Sequence, residues 1–87
     1  MTKLSEAELA TRTAELPEVF AARLPAADLA GLRSMASGGE WEELLDLLVS
    51  ALRQTRAPVT PGELDQLREV LSGWSLTTAG LDQLAVS

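Results

Sequence analysis

The chain contains neither cysteine nor histidine. Their absence excludes disulfides, thiol redox chemistry, a cysteine nucleophile and the usual zinc ligand sets. Carboxylates alone can still bind metal, but no loop has the alternating Asp/Asn spacing with a central Gly and a final Glu that calcium loops need. We therefore expect no metal and no cofactor.

Basic residues are also scarce. The chain has seven of them and thirteen acidic residues, which gives a net charge of −6. Nucleic acid is not expected as a ligand, because phosphate binding depends on clusters of Lys and Arg. Residues 34–87 hold eight of the acidic residues but only three of the basic ones. A positively charged partner for this second half is the natural complement.

The 87 residues fit one small domain, residues 1–87, with no room for a second core. The start, MTKLSEAELA, lacks an apolar signal-peptide stretch, and no run approaches the roughly 18 apolar residues of a membrane span. We expect a cytoplasmic protein with no membrane contact.

Apolar residues recur at helical spacing, and no polar/apolar alternation of the strand type lasts beyond a few residues. The pattern predicts an all-α bundle of four to five helices. The predicted helices span approximately 5–16, 17–24, 26–37, 40–55 and 61–72, with a weaker one at 79–85. Ser5 with Glu8, and Thr60 with Glu63, have the spacing of capping boxes. Pro17 either kinks the first helix or begins a second.

The clearest helical stripe belongs to the predicted helix at 40–55. Its members are Trp41, Leu44, Leu45, Leu48, Leu52 and Thr55. With Leu47 and Val49 added, the apolar arc covers about 200° of the helix surface. This helix is predicted to be central and packed on two sides, while Glu42, Asp46 and Arg53 fall on the remaining polar arc.

An enzyme is not predicted. In a chain without His or Cys the remaining bases are carboxylates, and general acid/base work normally needs one of them in an apolar pocket. Glu42, Glu43 and Asp46 lie on the polar arc, where solvent exposure and ordinary ionisation are expected.

The acidic cluster after Gly39 has two interpretations. Carboxylates in the first turn of a helix are favoured by its unpaired amides and its macrodipole, which accounts for Glu40. Asp46 lies beyond that turn and stands four residues after Glu42, a like-charge spacing that is mildly unfavourable. Glu42, Glu43 and Asp46 are therefore our first candidates for an acidic docking surface.

A second acidic group, Glu63, Asp65 and Glu69, follows on the next predicted helix, where Arg68 relieves the repulsion between Asp65 and Glu69. Trp74 comes just after Gly73, at the end of that helix. Both tryptophans continue apolar stripes and are expected in the core, but Trp74 is the better placed to contact a partner.

The segment Gly39 to Leu71 resembles the MafI-type immunity proteins of bacterial polymorphic toxin systems. The Gly39–Glu40–Trp41 step, the leucines of the following helix and Pro58–Val59–Thr60 match the family pattern in order and spacing. Glu42 and Glu43 stand where the family usually has a small residue.

The resemblance implies an all-helical cytoplasmic antidote that binds a cognate toxin domain and blocks its action. An acidic helix face would suit a toxin with a basic surface. The alternative is a non-enzymatic dimerisation or regulatory module in which the broad apolar arc packs across the two-fold axis of a homodimer.

Overall fold

The computed structural model describes residues 4–87, a range that contains four α-helices, two 3₁₀ helices and two very short strands. The α-helices are α1 (Glu6–Val19), α2 (Ala26–Ser37), α3 (Trp41–Thr55) and α4 (Pro61–Gly73), the 3₁₀ helices are Ala21–Arg23 and Ala79–Gln83, and the strands are β1 (Pro58–Val59) and β2 (Ala85–Val86). The prediction of a small all-α bundle is confirmed.

The predicted segments 5–16 and 17–24 form one α-helix followed by a 3₁₀ turn. α1 continues through Pro17 to Val19, and the 3₁₀ helix Ala21–Arg23 comes after it. A proline inside a helix loses the hydrogen bond to the carbonyl four residues earlier, here that of Thr13. Pro17 is buried in the last turn of α1, so its ring adds apolar contact where little helix remains to be disturbed.

Both predicted capping boxes are present. The Glu8 amide donates to the Ser5 hydroxyl at 3.2 Å, and the Glu63 amide donates to the Thr60 hydroxyl at 3.1 Å. In each case the glutamate side chain also accepts from the backbone amide of the capping residue. These bonds satisfy donors that a helix start otherwise leaves to water, and they set where α1 and α4 begin.

The leucines of α3 form the centre of the core. Leu44, Leu45, Leu48 and Leu52 are fully buried. α3 contacts α1, α2 and the 3₁₀ helix at Ala79–Gln83, so packing on more than one side is confirmed. Thr55 ends the predicted stripe but is exposed.

The end of the chain returns to the loop between α3 and α4. β1 and β2 pair in parallel, with Pro58 opposite Ala85 and Val59 opposite Val86, and the Ser87 amide donates to the Val59 carbonyl at 3.0 Å. The weak helix predicted at 79–85 is a 3₁₀ helix that becomes extended before 85. Two-residue strands carry no alternation, which is why the sequence pattern did not predict them.

Two glycines are needed for different reasons. Gly39 has φ +70°, a left-handed conformation that closes the turn between α2 and α3. Gly73 lies under Leu9 of α1, and a Cβ built on Gly73 would stand 2.3 Å from the Leu9 Cδ2 atom. The close approach of α4 to α1 therefore leaves room for a side chain at 73 only if the Leu9 side chain shifts.

We expect Gly73→Ala to destabilise the protein by about 1–3 kcal/mol, the usual cost of overpacking a core. Gly62→Ala is the matched control, because a Cβ at Gly62 meets nothing within 4 Å. Thermal or urea unfolding followed by circular dichroism measures both. Equal unfolding midpoints for the two variants would contradict the proposed contact.

Candidate functional site

An open cleft of about 530 Å³ lies between α3 and a wall formed by the end of α4 and the segment that follows it. α3 supplies Glu42, Glu43, Leu45, Asp46, Val49, Ser50 and Arg53, and the other wall comes from Leu71, Leu76, Thr77, Gly80 and Leu81. We call it the acidic cleft. It combines an apolar floor with charged edges.

The first three candidates of the sequence analysis lie together at this cleft. Glu42, Glu43 and Asp46 are all exposed, and the spacing of i, i+1 and i+4 places them on adjoining parts of one helix surface. We call these three residues the acidic rim. Glu40 stands just before them as the N-cap residue of α3, without a side-chain capping bond.

The start of α3 concentrates negative charge. The carboxyl groups of Glu40 and Glu43 are close enough to share a hydrogen bond when one is protonated, and this bond, with the repulsion between their charges, raises the pKa of Glu43. A raised carboxyl pKa beside another carboxylate indicates a locally negative potential.

Four of the six arginines form ion pairs with acids, and none of these pairs lies at the start of α3. The ion pairs within residues 4–87 are Arg12–Glu69, Arg23–Glu63, Arg33–Glu18 and Arg68–Asp65. None of them includes Glu40 or a member of the acidic rim. The unbalanced charge of this part of the chain is therefore gathered beside the cleft.

Arg53 lines the same cleft near the end of α3. It stands about 11 Å along the helix axis from Asp46, by the helical rise of about 1.5 Å per residue. Its guanidinium makes a long contact of 3.5 Å with the Gln83 side chain. The cleft is thus acidic at one end and basic at the other.

The two tryptophans stack beside the acidic rim. Their ring centroids are 6.4 Å apart with an interplanar angle of 17°, an offset-stacked arrangement. Both rings are half-buried and line a shallow depression of about 340 Å³. Glu42, Glu43 and Leu76 line this tryptophan depression as well as the acidic cleft, so the two hollows adjoin.

Trp74 is also tied into the core. Its indole nitrogen donates to the Thr13 hydroxyl at 2.9 Å, and that hydroxyl donates to the Leu9 carbonyl at 2.6 Å. Thr13 is completely buried, and these two bonds satisfy its hydroxyl group. The indole N–H of Trp74 therefore stabilises the packing of the end of α4 against α1, while part of the ring remains accessible to solvent.

The second acidic group is dispersed over other surfaces. Glu63 receives two hydrogen bonds of 2.6 Å from Arg23, whose guanidinium also donates to the Pro58 and Val19 carbonyls and lies over the Phe20 ring at 4.9 Å. The hydrogen bonds from Arg23 lower the pKa of Glu63 to about 2. Arg23 and Glu63 thus form a partly buried ion pair, which joins the end of α1 to the start of α4.

Asp65 and Glu69 are on the exposed side of α4. Asp65 is 4.0 Å from Arg68, and its side chain is 80% exposed. Glu69 pairs with Arg12 of α1. Neither residue lines the acidic cleft, so the structure does not bring the second group together with the first.

Sequence reasoning missed the wall of the cleft that faces α3. Leu76 and Thr77 follow the end of α4 and belong to no periodic stripe. Arg53, in contrast, follows Asp46 by seven residues on the polar arc of α3, a spacing that already indicates a shared face.

No group of three or more acidic side chains within residues 4–87 is arranged to hold a metal ion. None of the helices in this range has both the length and the apolar character needed to cross a membrane. Comparisons with known protein families, with curated proteins and with solved structures gave no match. Fold and site together define a small all-α protein with an acidic surface cleft.

The Arg23–Glu63 ion pair predicts that the stability of the protein depends on pH. A carboxyl pKa lowered on folding stabilises the protein above the unfolded pKa of about 4.5, and this contribution is lost as the pH falls towards 2. At neutral pH we expect Glu63→Gln to reduce the free energy of unfolding by about 2 kcal/mol, as for hydrogen bonds to charged groups. The difference from the parent protein should shrink between pH 4.5 and 2 in urea unfolding.

Glu69→Gln is the matched control for this experiment, because it removes a carboxylate from an ion pair whose side chains are half-exposed. Its effect should be much smaller. If Glu63→Gln lowers the free energy of unfolding by the same amount down to pH 2, the contribution of the ion pair does not depend on the ionisation of Glu63.

The Trp74–Thr13 hydrogen bond predicts that replacing Trp74 destabilises the protein more than replacing Trp41. Trp74→Phe keeps an aromatic ring but leaves the buried Thr13 hydroxyl without its donor, at an expected cost of about 1 kcal/mol beyond that of the smaller ring. Trp41→Phe makes the same change of ring without breaking this bond. Equal unfolding free energies for the two variants would show that the bond contributes nothing.

Proposed function

We propose that this protein is an antidote of the immunity type, which binds a cognate toxin domain and neutralises it through the acidic rim of α3. The partner is a protein domain with a basic surface. The antidote itself carries out no chemical reaction. The proposed contact residues are Glu42, Glu43 and Asp46, with Trp74 at the border of the contact.

One observation carries the proposal. Three exposed carboxylates share one helix surface beside an open cleft, and no ion pair within residues 4–87 neutralises them. Like charges at a spacing of four residues weaken a helix slightly. A basic partner would relieve that repulsion and make complementary ion pairs.

The electrostatics suit rapid capture of a toxin. Opposite charges on two protein surfaces raise the association rate and select against wrong partners. A toxin that acts on nucleic acids has to carry Lys and Arg for its own substrate, and the acidic rim would compete for those residues. The resemblance of Gly39–Leu71 to MafI-type immunity proteins supports the same function.

The alternative, a homodimer or regulatory module, depended on the broad apolar arc of α3. Leu44, Leu45, Leu48 and Leu52 of that arc are buried within the chain, and Leu47 and Val49 are half-buried. Among the described residues, the exposed large apolar side chains are Val19 on α1 and Val86 on β2. Two single valines are less than the contiguous exposed patch that a stable dimer interface needs, and this favours the antidote over the homodimer.

Co-expression tests the proposed function directly. The chain is produced together with the C-terminal domain of the protein that the neighbouring upstream gene encodes, and growth is scored. Rescue of growth supports the antidote function. A neighbour that is toxic alone and remains equally toxic in the presence of the chain would refute it.

The acidic rim is tested by charge reversal. Changing Glu42, Glu43 and Asp46 to Lys should weaken binding of the toxin domain at least about tenfold, because attraction becomes repulsion. The measurement is a binding titration at low and high salt, with helicity checked by circular dichroism.

The control changes Glu6, Glu15 and Asp28 to Lys, which shifts net charge equally on surfaces of α1 and α2 outside the cleft. This variant should bind with little change. Equal weakening by both triple variants would show that overall charge matters and the acidic rim does not.

A further inference from the structure

The floor of the acidic cleft is formed by apolar side chains. Leu45, Leu71 and Leu81 are buried beneath it, while Val49 and Leu76 are half-buried at its surface. Apolar surface of this kind, edged by charge, is typical of sites that hold protein segments. A partner that used its charges alone would leave this floor uncovered.

Two hollows adjoin at the acidic rim. Glu42 and Glu43 border the acidic cleft on one side and the tryptophan depression on the other, and Leu76 is common to both. A bound segment could therefore place one apolar side chain on each side of the carboxylates. Its basic side chains would then lie where the carboxylates are.

The distribution of charge along the cleft indicates which kind of partner segment fits it. The cleft is acidic at Glu42, Glu43 and Asp46 and basic at Arg53. From Glu42 to Arg53 the helix extends about 16 Å, which matches roughly 11 residues of a helical segment lying beside it. A small cation would occupy only one end of such a surface.

We infer that the acidic cleft receives one basic amphipathic segment of the partner protein, with apolar side chains in the cleft and against the tryptophan pair. This inference rests on the proposed function and specifies how the toxin domain is held. Arg53 gives the segment a direction, because the basic end of the segment has to lie over the acidic rim.

The test uses a synthetic amidated peptide of about 14 leucine and lysine residues in an amphipathic helical pattern, a length of about 21 Å. A scrambled peptide of the same composition is the control. Binding to the full chain is followed by tryptophan fluorescence, since both tryptophans line the adjoining depression. Saturable binding of the amphipathic peptide, at least about tenfold tighter than that of the scrambled one, is expected from the apolar floor.

Variants separate the apolar and the charged contributions. Val49→Phe fills the cleft without changing its charge and should weaken peptide binding about tenfold, the effect of losing one apolar anchor. Ser50→Phe, also in the cleft wall, provides a second filled cleft if the first variant does not fold. Changing Glu42, Glu43 and Asp46 to their amides should weaken binding as strongly. The amide variant of Glu6, Glu15 and Asp28, which lie outside the cleft, should bind the peptide with little change.

Binding that a folded cleft-filling variant leaves unchanged would overturn the inference, as would equal affinity for the scrambled peptide or no saturable binding at all. The growth rescue described above is scored separately. Rescue without peptide binding overturns only the inference about the segment, and loss of rescue with peptide binding retained overturns only the antidote function.

Discussion

The burial of α3 on several sides is the constraint on which the rest of the structure depends. Its leucines face α1, α2 and the C-terminal 3₁₀ helix, so most of its circumference is taken up by the core. Charged side chains cannot be buried without partners, so those of α3 lie on the polar strip that the core leaves exposed. Glu42, Asp46 and Arg53 share that strip. The concentration of charge at the acidic cleft thus follows from the way the core is built.

The chain positions this strip by joining distant segments with a few specific contacts. Trp74 donates to Thr13, which ties the end of α4 to the middle of α1. Glu63 and Arg23 join the start of α4 to the end of α1. These contacts hold α4 and the segment after it opposite α3, and the space left between them is the cleft. The same contacts make Glu63 a structural residue, although its charge alone had suggested a role in docking.

Local patterns were sufficient for much of this architecture. Capping boxes at Ser5 and Thr60 marked two helix starts, and the leucine stripe of α3 identified the central helix, because these signals involve residues within two turns of one another. Pro17 remained ambiguous, since its tolerance depends on its position in the last turn and on burial against other segments. The β1–β2 pair was missed because two residues are too few to show a period.

The candidate site was predictable only in part. The sequence by itself determined that the acids of α3 share one polar face, because helical spacing places Glu42 and Asp46 together whatever packs around them. Only the tertiary structure decided that Leu76 forms the opposite wall of a cleft, that the tryptophans stack beside it, and that Glu69 pairs with Arg12. Those relations join residues distant along the chain, and no local periodicity encodes such contacts.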